Sequence, residues 1–249
     1  MKSKSKTLCA ASIFPTHVVL SFGLAVAGLA FQSAHAADQA WSTNPASASI
    51  SGVNWTPGQI PGAASSTALS GDSLYFGTSA IAALNNDTFG STFAGLTFNA
   101  GASPFIIGGN PFTLSSGIAN NSSSVQVVAN PLTLTATQTV NTNTGTVGLT
   151  GFIGGTGFGL AKTGTGTLIL NGGNFYTGTT AINAGVLSIV GNSGLGANAA
   201  PVTFDGGTLR TNMAGSITNT HPTTINAGGG TINVNSLGTG NLTLLFAIR

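Results

Sequence analysis

From residue 74 onward the apolar positions come in runs of three to five residues, each bounded by Gly, Asn, Asp or Pro, with Thr, Ser and Asn between them. Such runs predict short β-strands. They fall at 74–76, 95–98, 105–107, 112–114, 125–128, 132–134, 167–170, 186–190, 202–204, 208–210, 223–225, 231–234 and 241–244. No segment after residue 36 sustains an i, i+3, i+4, i+7 apolar pattern over three turns, so the predicted fold class is all-β.

The runs repeat. An apolar residue, Asn or Asp, a small residue and Gly recur at Phe98-Asn99-Ala100-Gly101, Ile182-Asn183-Ala184-Gly185, Phe204-Asp205-Gly206-Gly207 and Ile225-Asn226-Ala227-Gly228. The last three start 22 and 21 residues apart, and the first precedes the second by 84, four times 21. Gly, a β-branched residue and then Leu or Ile recur at Gly166, Gly185, Gly207 and Gly230, at intervals of 19, 22 and 23. A period near 21 predicts one rung of a right-handed parallel β-helix, a solenoid. One rung alone buries too few apolar side chains to offset the ordering of its backbone, so each rung depends on its neighbours. Asn and Gly suit the corner turns, and stacked corner asparagines are expected to form side-chain ladders.

The two ends differ from the middle. Lys2, Lys4 and Lys6 precede an apolar run from 18 to 31 that ends in Ala34-His35-Ala36, so residues 1–36 read as a secretory signal peptide. The run is shorter than the roughly 18 residues that span a bilayer. Residues 37–90 are less regular and hold both tryptophans, Trp41 and Trp55, which suggests a capping region with a small aromatic core. An exposed aromatic carbohydrate platform is the alternative. The solenoid is expected over 91–249, and its apolar end at Arg249 reads as a truncated frame.

Composition and charge narrow the function. The 249 residues carry a formal charge of +2, but after residue 36 only Lys162, Arg210 and Arg249 face Asp38, Asp72, Asp87 and Asp205, leaving −1. Without clustered Lys and Arg there is no phosphate-neutralising surface, so nucleic acid is rejected as a partner. Cys9, the single cysteine, lies in the signal, so an exported chain must be held by burial and backbone pairing.

Candidate chemistry is sparse. After residue 36 there is no Glu or Cys and one histidine, His221. A glycosidase needs two carboxylates about 5–9.5 Å apart. Asp72 and Asp87 are far in sequence from Asp205, which occupies the corner position that elsewhere holds Asn and so reads as a turn residue. His221, before Pro222, reads as part of a turn, and no Ser-His-Asp motif surrounds it. Lys162 reads as an exposed charge at a strand edge. Gly154-Gly155-Thr156-Gly157-Phe158-Gly159 approaches a calcium nonapeptide but has Gly159 where the Asp ligand belongs. No phosphate-binding glycine motif is present, and neither cofactor nor metal is expected.

The segment Leu160-Ala161-Lys162-Thr163-Gly164-Thr165-Gly166-Thr167-Leu168-Ile169-Leu170, followed by Asn174-Phe175-Tyr176-Thr177-Gly178-Thr179-Thr180-Ala181-Ile182-Asn183-Ala184-Gly185-Val186-Leu187, resembles the autotransporter-associated β-strand repeat, also called the passenger-associated transport repeat. One clear copy is visible, at 157–187. The resemblance implies a non-enzymatic passenger or stalk of a type V secretion system, exported to the bacterial surface or beyond, where it aids folding and secretion and adheres. It also implies an outer-membrane translocator, for which this chain has no strand pattern. A carbohydrate-active β-helix enzyme and a fragment without independent function stay open as alternatives.

Overall fold

The computed structural model describes residues 38–42, 45, 47–51, 55–57, 71–212, 217–234 and 242–246, all of them within the compact unit Ala34–Arg249. The proposed signal peptide lies outside the described residues. At the N-terminal end β1 (Asp38–Trp41) pairs antiparallel with β2 (Trp55–Pro57). From there the chain winds in rungs. The first is β3 (Ser73–Phe76), β4 (Ala83–Asn86) and β5 (Ser91–Phe93); the second is β6 (Gly95–Phe98), β7 (Ile106–Gly109) and β8 (Phe112–Leu114). The third is β9 (Ile118–Asn120), β10 (Val125–Val128) and β11 (Leu132–Leu134); the fourth is β12 (Gln138–Thr142), β13 (Thr146–Leu149) and β14 (Ile153–Gly154). Two strands per rung follow: β15 (Leu160–Thr163) with β16 (Thr167–Leu170), β17 (Thr180–Ile182) with β18 (Val186–Ile189), β19 (Val202–Phe204) with β20 (Thr208–Thr211), and β21 (Ile217–Ile225) with β22 (Thr231–Val234). β23 (Leu242–Phe246) extends the first sheet.

Like strands stack on like strands. The first sheet has eleven strands, the second eight and the third four. Apart from β1 with β2, neighbouring strands of the described residues pair in parallel, as when β3 aligns Leu74 with Leu96 of β6. In the second sheet one column runs Leu84, Ile107, Val128, Leu149, Leu170, Ile189, Thr211, Val234, buried except at Val234. That is seven turns, and (234 − 84)/7 gives about 21.4 residues per turn. The fold is a parallel β-solenoid, and the period read from the sequence holds.

The repeated sequence units map onto this stack with one shift. Thr167, Val186, Thr208 and Thr231 form one column of the second sheet, which accounts for the intervals of 19, 22 and 23. Ile182, Phe204 and Ile225 likewise form one column of the first sheet. Phe98 does not join it. Four rungs below Ile182 the aligned residue is Leu96, and Phe98 aligns instead with Asn120. The unit beginning at Phe98 therefore lies two positions out of register, a displacement that preserves the inward face.

One apolar cluster runs through the interior from Trp41 to Leu209. Its N-terminal end is plugged by phenylalanines: Phe76 stacks on Phe98 at 4.9 Å between ring centroids, and Phe105 lies tilted against them at 5.1 and 6.1 Å. Trp41 is buried, and its indole N–H lies within hydrogen-bonding distance of Ser79 Oγ and Ile81 O, so it is a core residue of this end and not an exposed sugar platform. β3 and β4 lie within 37–90 yet pair with the rungs above them, so the solenoid begins ahead of residue 91. In Ala-Leu-Asn-Asn, the sequence of β4, Leu84 is the one large apolar residue, so no apolar run marks this strand.

Polar side chains replace apolar ones at several inward positions. Asn120 donates to Ser124 O and Thr146 O and accepts from Ser122 N and Oγ. Gln126 accepts from Phe105 N at 2.8 Å and donates to Ser103 O at 3.1 Å. Asn120 and Gln126 thus join rungs from inside the tube. At the repeated corners Asn99, Asn183 and Asn226 donate their backbone N–H to the preceding rung.

Candidate functional site

The rung that carries the long motif is built around a buried lysine. Leu160 and Lys162 share the inward face of β15, and Lys162 is 1% exposed. Its column runs Leu74, Leu96, Ile118, Val140, Lys162, Ile182, Phe204, so the ammonium interrupts an otherwise apolar line. The expected exposed edge charge is therefore corrected. Residues two apart on a strand point the same way, and Leu160 already faces inward.

An ammonium has three N–H donors. Lys162 Nζ places one on Thr163 O at 2.7 Å, one on Gly164 O at 2.8 Å and one on Ala184 O at 3.0 Å. Two acceptors belong to its own corner and the third to the corner of the next rung. Gly185 makes room for this arrangement: a Cβ there would sit 2.8 Å from Lys162 Nζ and 2.4 Å from Gly164 O, and its φ of +63° already favours glycine. Burial pulls the ammonium down from 10.5 to about 8.

The second half of the motif closes the third face, where strand pairing ends after β14. Asn174 Oδ1 accepts Ile153 N–H at 2.9 Å and its Nδ2 donates to Gly194 O at 2.9 Å. One side chain thus carries the ladder from the rung below to the rung above, in place of backbone. Tyr176 is fully buried, and Thr180 Oγ1 donates to Leu195 O at 3.1 Å. The Tyr176 hydroxyl is then the donor in its 2.6 Å contact with Thr180 Oγ1. Burial pushes the phenol well above its ordinary range, the bond to Thr180 opposing it.

The candidate acids are dispersed. Asp72 is buried at the start of β3, whereas Asp87 is exposed just after β4. Asp205 follows β19, six strands on from β3 in the same sheet, so at about 4.8 Å per strand it stands about 29 Å away along the stack. It serves the corner, accepting Gly228 N–H at 2.8 Å. Asp87 accepts from Ser49 Oγ at 2.6 Å, Ser51 N at 3.0 Å and Ser51 Oγ at 2.5 Å. Partial burial raises its carboxyl, but these bonds outweigh that and hold it at about 2. His221 is not in a turn: it is buried in β21, with Nδ1 at 2.8 Å from Ala200 O and Nε2 at 3.2 Å from Asn192 O. Both ring nitrogens face backbone carbonyls, and the geometry is that of a strut between rungs.

On the outer face of the first sheet the rungs leave a recess of about 470 Å³, lined by Tyr75, Thr97, Ser116, Gly117, Thr139 and Asn141 among others. Its lining carries no Asp, Glu, Lys, Arg or His, so it offers uncharged hydroxyl, amide and aromatic contacts.

These features define a repeat protein, a parallel β-solenoid in which one rung is specialised by a buried Lys, Asn and Tyr. Residues 160–189 match the family model of the passenger-associated-transport-repeat, and the chain carries that repeat. A 52-residue stretch, 21% of this chain, is 50% identical to the adhesin BmaC autotransporter of Brucella suis biovar 1 (strain 1330). The match spans 2% of that relative's length. No solved structure matches the chain.

The motif was legible in the sequence; the roles within it were not. Lys162 could have been placed by the parity of β15. Asn174 and Thr180 carry no such signal, because their partners come from rungs 15 to 21 residues away.

Proposed function

We propose that the chain is a non-enzymatic passenger or stalk segment of an autotransporter-like protein, exported to the bacterial surface, whose rungs aid its folding and secretion and present an adhesive face. The observation that carries this reading is the transport repeat at 160–189, set within a continuous parallel stack. A stack in which each rung completes the hydrogen bonds of its neighbour can grow by addition at one edge. Such growth suits a chain emerging through a membrane and disfavours return of the folded part. The local likeness to a protein named as an adhesin supports a surface role. The uncharged recess beside Tyr75 is where a neutral polar ligand would lie. An outer-membrane translocator is the partner this reading requires.

The test is surface display of the full chain joined to an outer-membrane barrel, read by protease accessibility on intact cells. The wild-type rod is expected at the surface as a protease-resistant body, and a double variant Asn174→Ala, Tyr176→Ala at a markedly lower level. A wild-type chain that folds in vitro yet stays periplasmic would count against the passenger role. Failure of surface-displayed rods to bind any cell or matrix surface would remove adhesion alone.

A further inference from the structure

We propose that Lys162 is a register latch between two rungs: its three donors can all be met only when β17 docks on β15 with Ala184 O directly over the corner at Thr163 and Gly164. The assignment goes beyond the passenger reading and holds whether or not the rod is secreted.

Apolar columns specify register poorly. A two-residue slip of one parallel strand keeps every inward side chain inward. Between β15 and β17 such a slip would set Ala184, in place of Ile182, against Lys162, and the hydrophobic effect alone discriminates weakly between those arrangements. The need is greatest here. The rung is the shortest in both sheets, Leu160 aligning with Thr180 after 20 residues and Thr167 with Val186 after 19. It is also the first to cross the third face without a strand, since that sheet ends at β14.

Lys162 supplies the missing discrimination. Two of its donors are met within its own corner, whatever the next rung does. The third is met by Ala184 O. In a slipped pairing that carbonyl moves by a two-residue step, several ångströms along the strand. The ammonium then keeps an unmet donor inside the tube, where an unpaired charge is strongly disfavoured. No neighbouring side chain supplies a counter-charge. β12, β16, β17, β18 and the corners at 164–166 and 183–185 carry no titratable residue. Gly185 tightens the selection, because the space its missing Cβ leaves is filled by the Lys162 head only in the observed register.

The latch therefore acts on specificity more than on stability, and the two can be separated. Ala161 and Ala181 are register partners on the outward face, so a cysteine pair there reports the native register. Stacked strands bring their Cα atoms about 4.8 Å apart, within disulfide range. Pairs of Ala161→Cys with Asn183→Cys or with Thr179→Cys report slips of two residues in either direction. All three are made in a Cys9→Ser background, unfolded, refolded and oxidised. In the wild-type frame the native pair is expected to cross-link at least roughly tenfold more than either slipped pair. In K162M, with a flexible apolar side chain of similar length, the melting temperature should hold or rise while a slipped pair comes within roughly twofold of the native one. Native-register cross-linking in K162M equal to wild type would overturn the latch. Should K162M fail to fold, refolding the lysine protein at about pH 11, where the ammonium is discharged, supplies the same comparison. Undiminished native register there would overturn it as well.

Discussion

Lys162 and Asp87 lie at opposite ends of the pH scale, and each makes a signed prediction. The Lys162 ammonium is held below its unfolded value, at about 8 against 10.5. Between those values the unfolded chain binds more protons, so stability should rise with pH from about 8 to 10.5 and be lower, and flat in this respect, below 8. The rise should reach at most about 3 kcal/mol, read as the difference between wild-type and K162M denaturation curves across that range. Asp87 behaves oppositely. Its folded value of about 2 lies below the ordinary 3.8, so its contribution is present above pH 3.8 and lost as pH falls toward 2. Because Asp87 is exposed, the expected effect is local: the Ser51 amide, bound to Asp87 Oδ1 at 3.0 Å, should lose exchange protection over that interval while β12 and β13 keep theirs. Tyr176→Phe removes one buried donor and leaves Thr180 Oγ1 without it, a loss of about 1–2 kcal/mol in urea denaturation. Tyr176→Ala opens a cavity and should cost about 3–5 kcal/mol.

At the scale of the strand, alternation decided what could be read. Runs such as Gly-Leu-Thr-Phe and Thr-Leu-Ile-Leu declare β6 and β16, because their inward residues are large and apolar. β9 and β12 read Ile-Ala-Asn and Gln-Thr-Val-Asn-Thr, which hold no apolar run to mark a strand. Their inward Asn120, Gln138 and Thr142 are buried; Asn120 Nδ2 and Gln138 Nε2 donate to Thr146 O and Leu114 O of neighbouring rungs, whereas Gln138 Oε1 and Thr142 Oγ1 meet no partner. Corners follow a different rule. A Cβ on Gly166 would stand 2.1 Å from Gly145 O of the rung below, so the two backbones pass too closely for any side chain. Gly166→Ala should therefore cost at least about 1–3 kcal/mol, measured as a lowered melting temperature. At Gly173 a Cβ meets nothing within 4 Å, so Gly173→Ala serves as the control and should change little.

At the scale of the molecule the unit is the rung, and stability is a sum over neighbours. Thr139 stacks on the position of Gly117, since Asn141 aligns with Ala119 two residues along. Deleting residues 117–138, one whole turn, should therefore give a shorter rod that still folds, with a lowered melting temperature and retained protease resistance. Deleting 117–127, half a turn, should abolish folding, because it sets strands of one sheet against corners of another. The same logic supports the passenger reading, in which rungs are added in sequence as the chain emerges.

The sequence by itself determined the all-β class, the period near 21, the repeat read at 157–187 and the separation of Asp205 from Asp72 and Asp87 along the stack. Each depends on local alternation, turn residues or spacing, which a linear chain displays. The third acceptor of Lys162, the strut made by His221, the bridging amide of Asn174 and the interior Asn and Gln were decided by tertiary structure alone. Their partners come mostly from rungs 20 to 29 residues away. The charge pattern marked Lys162 as a surface residue, and the stacking of β17 on β15 turned it into the one ammonium among the described residues that the tube encloses.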